Sequence, residues 1–427
     1  MAAAPDTTPG SQAGSQAGPL GRDTAGLSDA AAALLALEQQ YSSGVYPKRE
    51  VVMVAGCEAR LVDADGHSYI DCMAGHGVAN CGHGHPVLTA ALTAQVGRLV
   101  TCPESLPNDV RAEYQRRLLE VAPGDLDRVF LCNSGTEAIE AAFKFARLAT
   151  GRSGLIATMR GFHGRTFGAL SATWEKKYRG PFEPLVPGFG HVPYNKLDKL
   201  DAAVGDDTAG VIVEVVQGEG GVNPGEAEFL QGAQALCRER GAMFIVDEIQ
   251  TGFGRTGRLF ACEHHDLSPD ILALGKAIGG GLPMGATLVG PRVAHLKPGL
   301  HGSTFGGNPL ACAVATAVLD VLRDERLPER AAALGARAVA RLSALDLPVI
   351  REVRGLGLML AVDLRKRVTP LLGLLMQRGV LALPAGPTVL RLLPPLTIPE
   401  ADLDRALTII EETLREWADA PDTGDDP

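Results

Sequence analysis

Aromatic residues are scarce in this chain, only 5% of 427 positions, and no apolar run is long enough to span a bilayer. No secretory signal is recognisable either, so a cytoplasmic protein without a membrane partner is expected. Basic excess is also missing. Forty Lys and Arg face fifty Asp and Glu, for a net charge of -10. That argues against nucleic acid as a partner, which leaves a basic footprint, but leaves room for a local patch. None of the eight cysteines forms a Cys-x-x-Cys pair. They read as reduced, mostly buried thiols. Nor does a Gly-x-Gly-x-x-Gly fingerprint with its strand, helix and downstream acid stand out.

What is present is apolar mass. Hydrophobic residues make up 46% and charged ones 21%, enough for a large core, and the length implies two domains. Residues 1–27 are rich in Ala, Pro, Thr, Ser, Gln and Gly and are expected to be disordered. The acidic end, 419–427, is expected to fray. Residues 28–45 read as a helix that breaks, and 50–70 as a small antiparallel sheet. Asp63-Ala-Asp-Gly66 lacks the later ligands of a calcium loop and reads as a hairpin turn. Cys81-Gly-His83-Gly-His85-Pro86 offers metal-type side chains, but no second ligand cluster follows, and no metal is expected.

The chemistry gathers around Ala242–Lys276. Ala-Met-Phe-Ile-Val reads as a buried strand ending on Asp247, and a second apolar run, Pro269–Gly275, ends on Lys276. A carboxylate and an amine thus stand where buried strands give way to loops. A lysine can carry an aldehyde cofactor as a Schiff base, and an acid can hold a proton on a pyridine nitrogen. Pyridoxal phosphate (PLP) needs both. A surface lysine and an ordinary strand-end acid are the plain alternative. Upstream, Asp127–Cys132 reads as a strand, Asn133–Glu137 as a turn and Ala138–Ala149 as a helix, an arrangement suited to an anion. A simple helix cap fits the same residues. In Gly161-Phe162-His163-Gly164-Arg165, the Phe could stack on a flat ring and the Arg could grip a carboxylate. They could equally be a core Phe and a surface Arg. Glu214 lies in the buried run 209–217 and must be paired or hydrogen-bonded. The candidate residues fall repeatedly at carboxyl ends of apolar strands, the edge where open α/β sheets bind ligands.

Asp247-Glu-Ile-Gln-Thr-Gly followed by Leu-Gly-Lys276-Ala-Ile-Gly-Gly-Gly-Leu-Pro-Met-Gly resembles the class III aminotransferases, over about Tyr41 to Ile410. The resemblance implies an α/β protein of PLP fold type I. A large domain at 76–307 would hold a mostly parallel seven-stranded sheet. A smaller α+β domain would combine residues 28–75 with 308–418. It implies Lys276 and Asp247 as catalytic groups. Gly135, Thr136, Phe162, Gln250 and Thr304 would complete the cofactor site, with Thr304 reaching the phosphate of a neighbouring subunit in a homodimer. Arg165, Arg391, Glu219 and Ser303 would serve substrate, and Glu214 would lie near the cofactor. His163 is taken as structural. Glu219 would neutralise Arg391 until glutamate or 2-oxoglutarate claims it.

Within the family, four stretches resemble the branch of lysine biosynthesis that acts on a substrate attached to LysW, an acidic amino-group carrier protein. They are Tyr41–Tyr46, Gly75–Asn80, Ser171–Arg179 and Leu381–Pro395. Lys176, Lys177, Arg179, Lys48 and Arg49 are candidate carrier contacts, or else ordinary surface charges. The acetylornithine branch of arginine biosynthesis is the alternative.

Overall fold

The computed structural model describes residues 18–22 and 26–418. Its centre is a seven-stranded sheet. The order is Arg128–Cys132, Gly285–Val289, Ile271–Leu274, Met243–Asp247, Thr208–Val213, Gly154–Thr158 and Phe189–Val192. Gly285–Val289 runs antiparallel to both neighbours, and the other six strands point one way. The expected sheet is therefore present.

Five of these strands are buried at every residue. Alternate side chains belong to two separate apolar clusters. Val211, Val213, Phe244 and Val246 join one, with Phe229 and Leu230 of the helix Ala227–Arg240. Ile212, Met243 and Ile245 join the other, with Ile139, Phe143 and Ala146 of the helix Gly135–Thr150. A helix thus covers each face, which is why the strands read as unbroken apolar runs. The register sets Val213 opposite Val246 and Asp247 opposite Ala273. Glu214, Asp247 and the turn at Gly275-Lys276 therefore emerge along one edge.

Ser68–Asp71 pairs in parallel with Val380–Leu381, so the N-terminal segment and the C-terminal part share a sheet. A second four-stranded sheet orders Ile350–Leu356, Met359–Leu364, Val389–Leu392 and Leu383–Pro384. The hairpin at Asp63–Gly66 is confirmed by the pairing of Arg60–Asp63 with Ser68–Asp71.

Three expectations change. The whole of 1–27 was expected to lack structure, yet residues 18–22 run beside Ser68. Ser68 N donates to Pro19 O and Gly21 N to Ser68 O, both 2.9 Å. Arg22 pairs with Asp63 and Asp65. Backbone pairing along an open strand edge needs no apolar side chains, so composition could not signal it. The remaining residues of both tails, 1–17, 23–25 and 419–427, lie outside the described residues. Second, the helix after Asn133 begins at Gly135, a turn earlier than its apolar periodicity suggests. Ser134 caps it, and Glu137 accepts from Asn133 N at 2.9 Å, so the Ser-x-x-Glu box sets its start. Third, the strand before Glu214 stops at Val213 although Val215 and Val216 stay buried.

Candidate active site

Gly135, Thr136, Phe162, Arg165, Glu214, Glu219, Asp247, Gln250 and Lys276 line one cavity of about 260 Å³, together with His163 and Ile249. Nine of the expected residues thus converge from five separate segments. Arg391 lines a second, wider cavity of about 560 Å³, which shares Phe162, Arg165 and Glu219 with the first and opens outward.

Lys276 follows its strand in the left-handed backbone region, φ +48°, where a lysine is uncommon. Burial pulls its amine below the ordinary lysine value, partly offset by Glu219 and Asp247. A less basic amine is a better nucleophile and base near neutrality. Asp247 is 4% exposed. Its Oδ1 accepts from Ile249 N at 3.0 Å, and its Oδ2 takes His163 Nδ1 at 2.7 Å. Burial alone would lower the imidazole's pKa, but Asp247 and Glu214 outweigh it and hold it raised. The structural role expected of His163 is therefore specific: it orients the acid that faces the cavity.

Opposite these groups, Gly135 and Thr136 form the first turn of a capped helix. Among the described residues their backbone N–H groups take no partner. Free amides at a helix N-terminus are an anion site. Gly135 also leaves room where a Cβ would stand 2.8 Å from the Ile249 side chain. Glu214 Oε1 accepts from Phe162 N and Oε2 from Gly218 N. Burial, with Asp247 beside it, pushes this carboxyl up to about 7 against the pull of His163.

The expected Glu219–Arg391 pair is present at 2.7 Å. Gln250 completes it, its Oε1 accepting from Arg391 at 3.1 Å and its Nε2 donating to Glu219 at 3.4 Å. Burial would raise the Glu219 carboxyl, but Arg391, Lys276 and His76 together lower it to about 2. Gln250 thus sits between the cofactor cavity and the substrate arginine.

Two expected residues stand apart. Thr304 is exposed, and neither it nor Ser303 lines either cavity. The Ser303 hydroxyl accepts from Asn133 Nδ2 and Gly306 N, so it braces the Asn133 turn, and the substrate role given to it is not carried by this chain's geometry. His83 and His85 bind different carboxylates, Asp71 and Glu325, and so build no shared ligand set. Gly252-Phe-Gly254-Arg-Thr-Gly257 spells a nucleotide motif, but the fully buried Arg255 ties that loop to Leu358 O, Pro394 O and Asn80 Oδ1, and no long helix follows. Tyr178 and His76 line the mouth and were not anticipated. His76 shows only in the backbone, at φ +64°.

The donor set suits PLP. Asp247 can hold the proton on a ring nitrogen, the free amides of Gly135 and Thr136 a phosphate, and Lys276 an aldehyde carbon. A doubly covered sheet presenting these groups along one edge defines a PLP-dependent enzyme. The model of the aminotransferase class-III family matches residues 42–414, and the chain belongs to that family. It is a PLP-dependent transaminase. It is 51% identical over 384 residues to the [LysW]-aminoadipate semialdehyde transaminase of Deinococcus radiodurans, covering 89% of this chain and 90% of that one. It is 47% identical to the acetylornithine aminotransferase of Methanopyrus kandleri, over 89% and 98%. Among solved structures, an ornithine aminotransferase from Toxoplasma gondii with partial occupancy of PLP at its active site matches with a TM-score of 0.88 and 37% identity, over 91% and 96%.

Proposed function

We propose that this transaminase moves the terminal amino group between a lysine or aminoadipate semialdehyde carried by LysW and the glutamate/2-oxoglutarate pair. The observation that carries the reading is the Glu219–Arg391 pair at the join of the two cavities. A donor entering amine-first leaves the pair closed. A dicarboxylate claims Arg391 and frees Glu219, so one pocket serves both half-reactions.

Bound PLP supplies an electron sink. The protein's own groups do the rest. Lys276 Nζ would take the proton from the amine-bearing carbon of the donor and pass it, within the same half-reaction, to the cofactor carbon that had carried the aldehyde; toward the keto acid it would run the same transfer in reverse. Asp247, fixed by His163, keeps the ring nitrogen protonated. Arg165 would hold a substrate carboxylate, and Phe162, which lines the same cavity, would stack on the ring.

The LysW assignment rests on likeness to the Deinococcus enzyme and on the mouth. Trp174 and the loop Pro384–Val389, both in the stretches that resemble that branch, line it. So do Arg160, Arg165 and Lys177, which pair with no carboxylate among the described residues. Lys177 is the one candidate carrier contact that lines the mouth. Lys48 is spent on Glu38, and Arg49 on Ala382 O at 2.7 Å. The decisive experiment offers carrier-linked lysine, free lysine and acetylornithine separately to the yellow enzyme and follows loss of its absorbance. Fast reaction of the carrier-linked amine alone supports this reading. Equal or faster reaction of acetylornithine installs the second reading, which the Methanopyrus relative favours. Reversing the charge of Lys176 and Lys177 should slow only carrier-linked substrate.

We also read the chain as a cytoplasmic homodimer. Thr304 is exposed away from its own cavity, and Leu34, Leu37, Tyr41 and Val45 are exposed apolar residues in one segment. Mixing inactive K276A and T304A chains should restore activity if Thr304 serves a neighbour's site. No helix of the described residues is long and apolar enough to cross a membrane.

A further inference from the structure

The two substrate arginines are held in opposite ways. Arg391 is buried and closed by a carboxylate, whereas Arg165 is exposed and has no acidic partner among the described residues. An aromatic face holds it instead. Its guanidinium carbon stands 3.8 Å from the ring centroid of Tyr178 and 5.6 Å from that of Phe162. The two rings meet edge to face, 6.0 Å apart at 83°. Lys177 Nζ lies 4.9 Å from the same Tyr178 ring. Tyr178 sits on the short helix Lys176–Arg179, and it lines the wider cavity.

We propose that Tyr178 is a positioning residue for substrate carboxylates, a ring that aims the Arg165 guanidinium without neutralising it. The physics separates the two arginines. A carboxylate partner satisfies a guanidinium by taking its N–H groups, so a substrate must compete for them. A ring face attracts the cation through its quadrupole and leaves the in-plane N–H fork free for bidentate binding. Arg165 therefore binds its carboxylate unconditionally, while Arg391 binds one only after Glu219 lets go. Because the same ring abuts Phe162, it also sets the distance between the carboxylate grip and the residue expected against the cofactor ring. Nothing in the local sequence singles out Tyr178, since the contact runs from one glycine-flanked turn to another segment.

This inference rests on the assignment of Arg165 to substrate carboxylate, and the test separates the two. Glutarate, a dicarboxylate with neither amine nor ketone, is titrated into holoenzyme by calorimetry, alongside steady-state kinetics with 2-oxoglutarate. Tyr178→Leu should raise the glutarate Kd and the 2-oxoglutarate KM by roughly 3- to 30-fold, the span of a cation–π contact. Its kcat at saturation should change by less than about twofold, since no reacting group moves. Tyr178→Phe, which keeps the ring, should restore the wild-type Kd. The proposal is overturned if Tyr178→Leu binds glutarate like wild type, or if Tyr178→Phe is as weak as Tyr178→Leu. Arg165→Ala is the control. Wild-type binding in that variant removes the Arg165 assignment itself. Weak binding there with normal binding in Tyr178→Leu removes only the role of the ring.

Discussion

Replacing Glu219 by Gln tests the gate most directly. Its carboxyl is held at about 2 against an ordinary 4.5. At about 1.4 kcal/mol per pKa unit that is about 3 kcal/mol of net attraction. Arg391 supplies the largest favourable part, against the cost of burial. The side chain is still 29% exposed, so water screens the interaction, and about 2 kcal/mol is the usable figure, or roughly 30-fold in affinity. A dicarboxylate entering the wild-type enzyme must overcome that attraction to reach Arg391. In E219Q it meets only an amide. Glutarate and 2-oxoglutarate should therefore bind up to about 30-fold more tightly, read by calorimetry and by the concentration dependence of the second half-reaction. The amine-first donor should react more slowly, because its own carboxylate can now lodge on Arg391. Thermal stability should drop as well, since the Arg391 side chain is 1% exposed and loses its counter-charge. Lower Tm together with tighter dicarboxylate binding is the signature of a gate. Lower Tm with unchanged or weaker dicarboxylate binding would refute the reasoning and leave a merely structural pair.

Further outcomes follow from the same geometry. K276A should lower kcat by at least about 10³-fold while PLP still binds noncovalently, checked by single-turnover absorbance and cofactor retention on dialysis. Gly218→Ala places a Cβ 1.9 Å from Gln250 Oε1 and should cost about 1–3 kcal/mol in urea unfolding, with a raised KM for 2-oxoglutarate as Gln250 leaves Arg391. For His163 the folded pKa is raised, so its pairing with Asp247 stabilises the fold below the unfolded value of about 6.5 and is lost as pH rises through the folded value. The Tm advantage of wild-type apoprotein over H163Q should therefore shrink as pH rises above about 6.5, and a gap independent of pH would count against the pair.

Much of this site could be read from the chain because its residues sit where apolar runs end. Asp247, Glu214 and Lys276 each close or follow a buried strand, and parallel register alone brings such positions to one edge. The anion-suited turn Asn133–Glu137 was legible for the same local reason, although the helix start within it was not. What stayed hidden depends on partners distant in sequence. Tyr178 matters only because its segment folds back over Arg165. Ser303 was assigned to substrate by the resemblance alone, and its tie to Asn133, 170 positions earlier, could not be read from its local sequence. Lys48 and Arg49 looked like surface charges available to a partner until Glu38 and Ala382 were found to occupy them. Charge count in a sequence says nothing about which charges are already spent.

The carboxylates show why position outweighs residue type. Glu214 and Glu219 lie five residues apart on one strand exit, yet burial holds the first at about 7 while Arg391, foremost among its neighbours, holds the second at about 2 against the cost of burial. Glu248, next to Asp247, is also pushed up to about 7 by burial, although Thr251 and the Cys262 amide bond it. Near neutral pH the two elevated acids are therefore partly protonated. Asp247 has the raised imidazole of His163 beside it, and Glu219 has Arg391. The negative charge left facing the cavity is small, and that matters for what must enter. A phosphate at Gly135 and Thr136 and carboxylates at Arg165 and Arg391 would be repelled by three unshared anions at Glu214, Glu219 and Asp247. The fold keeps the three cavity acids in place for hydrogen bonding and proton holding, while burial and pairing suppress the field they would otherwise exert.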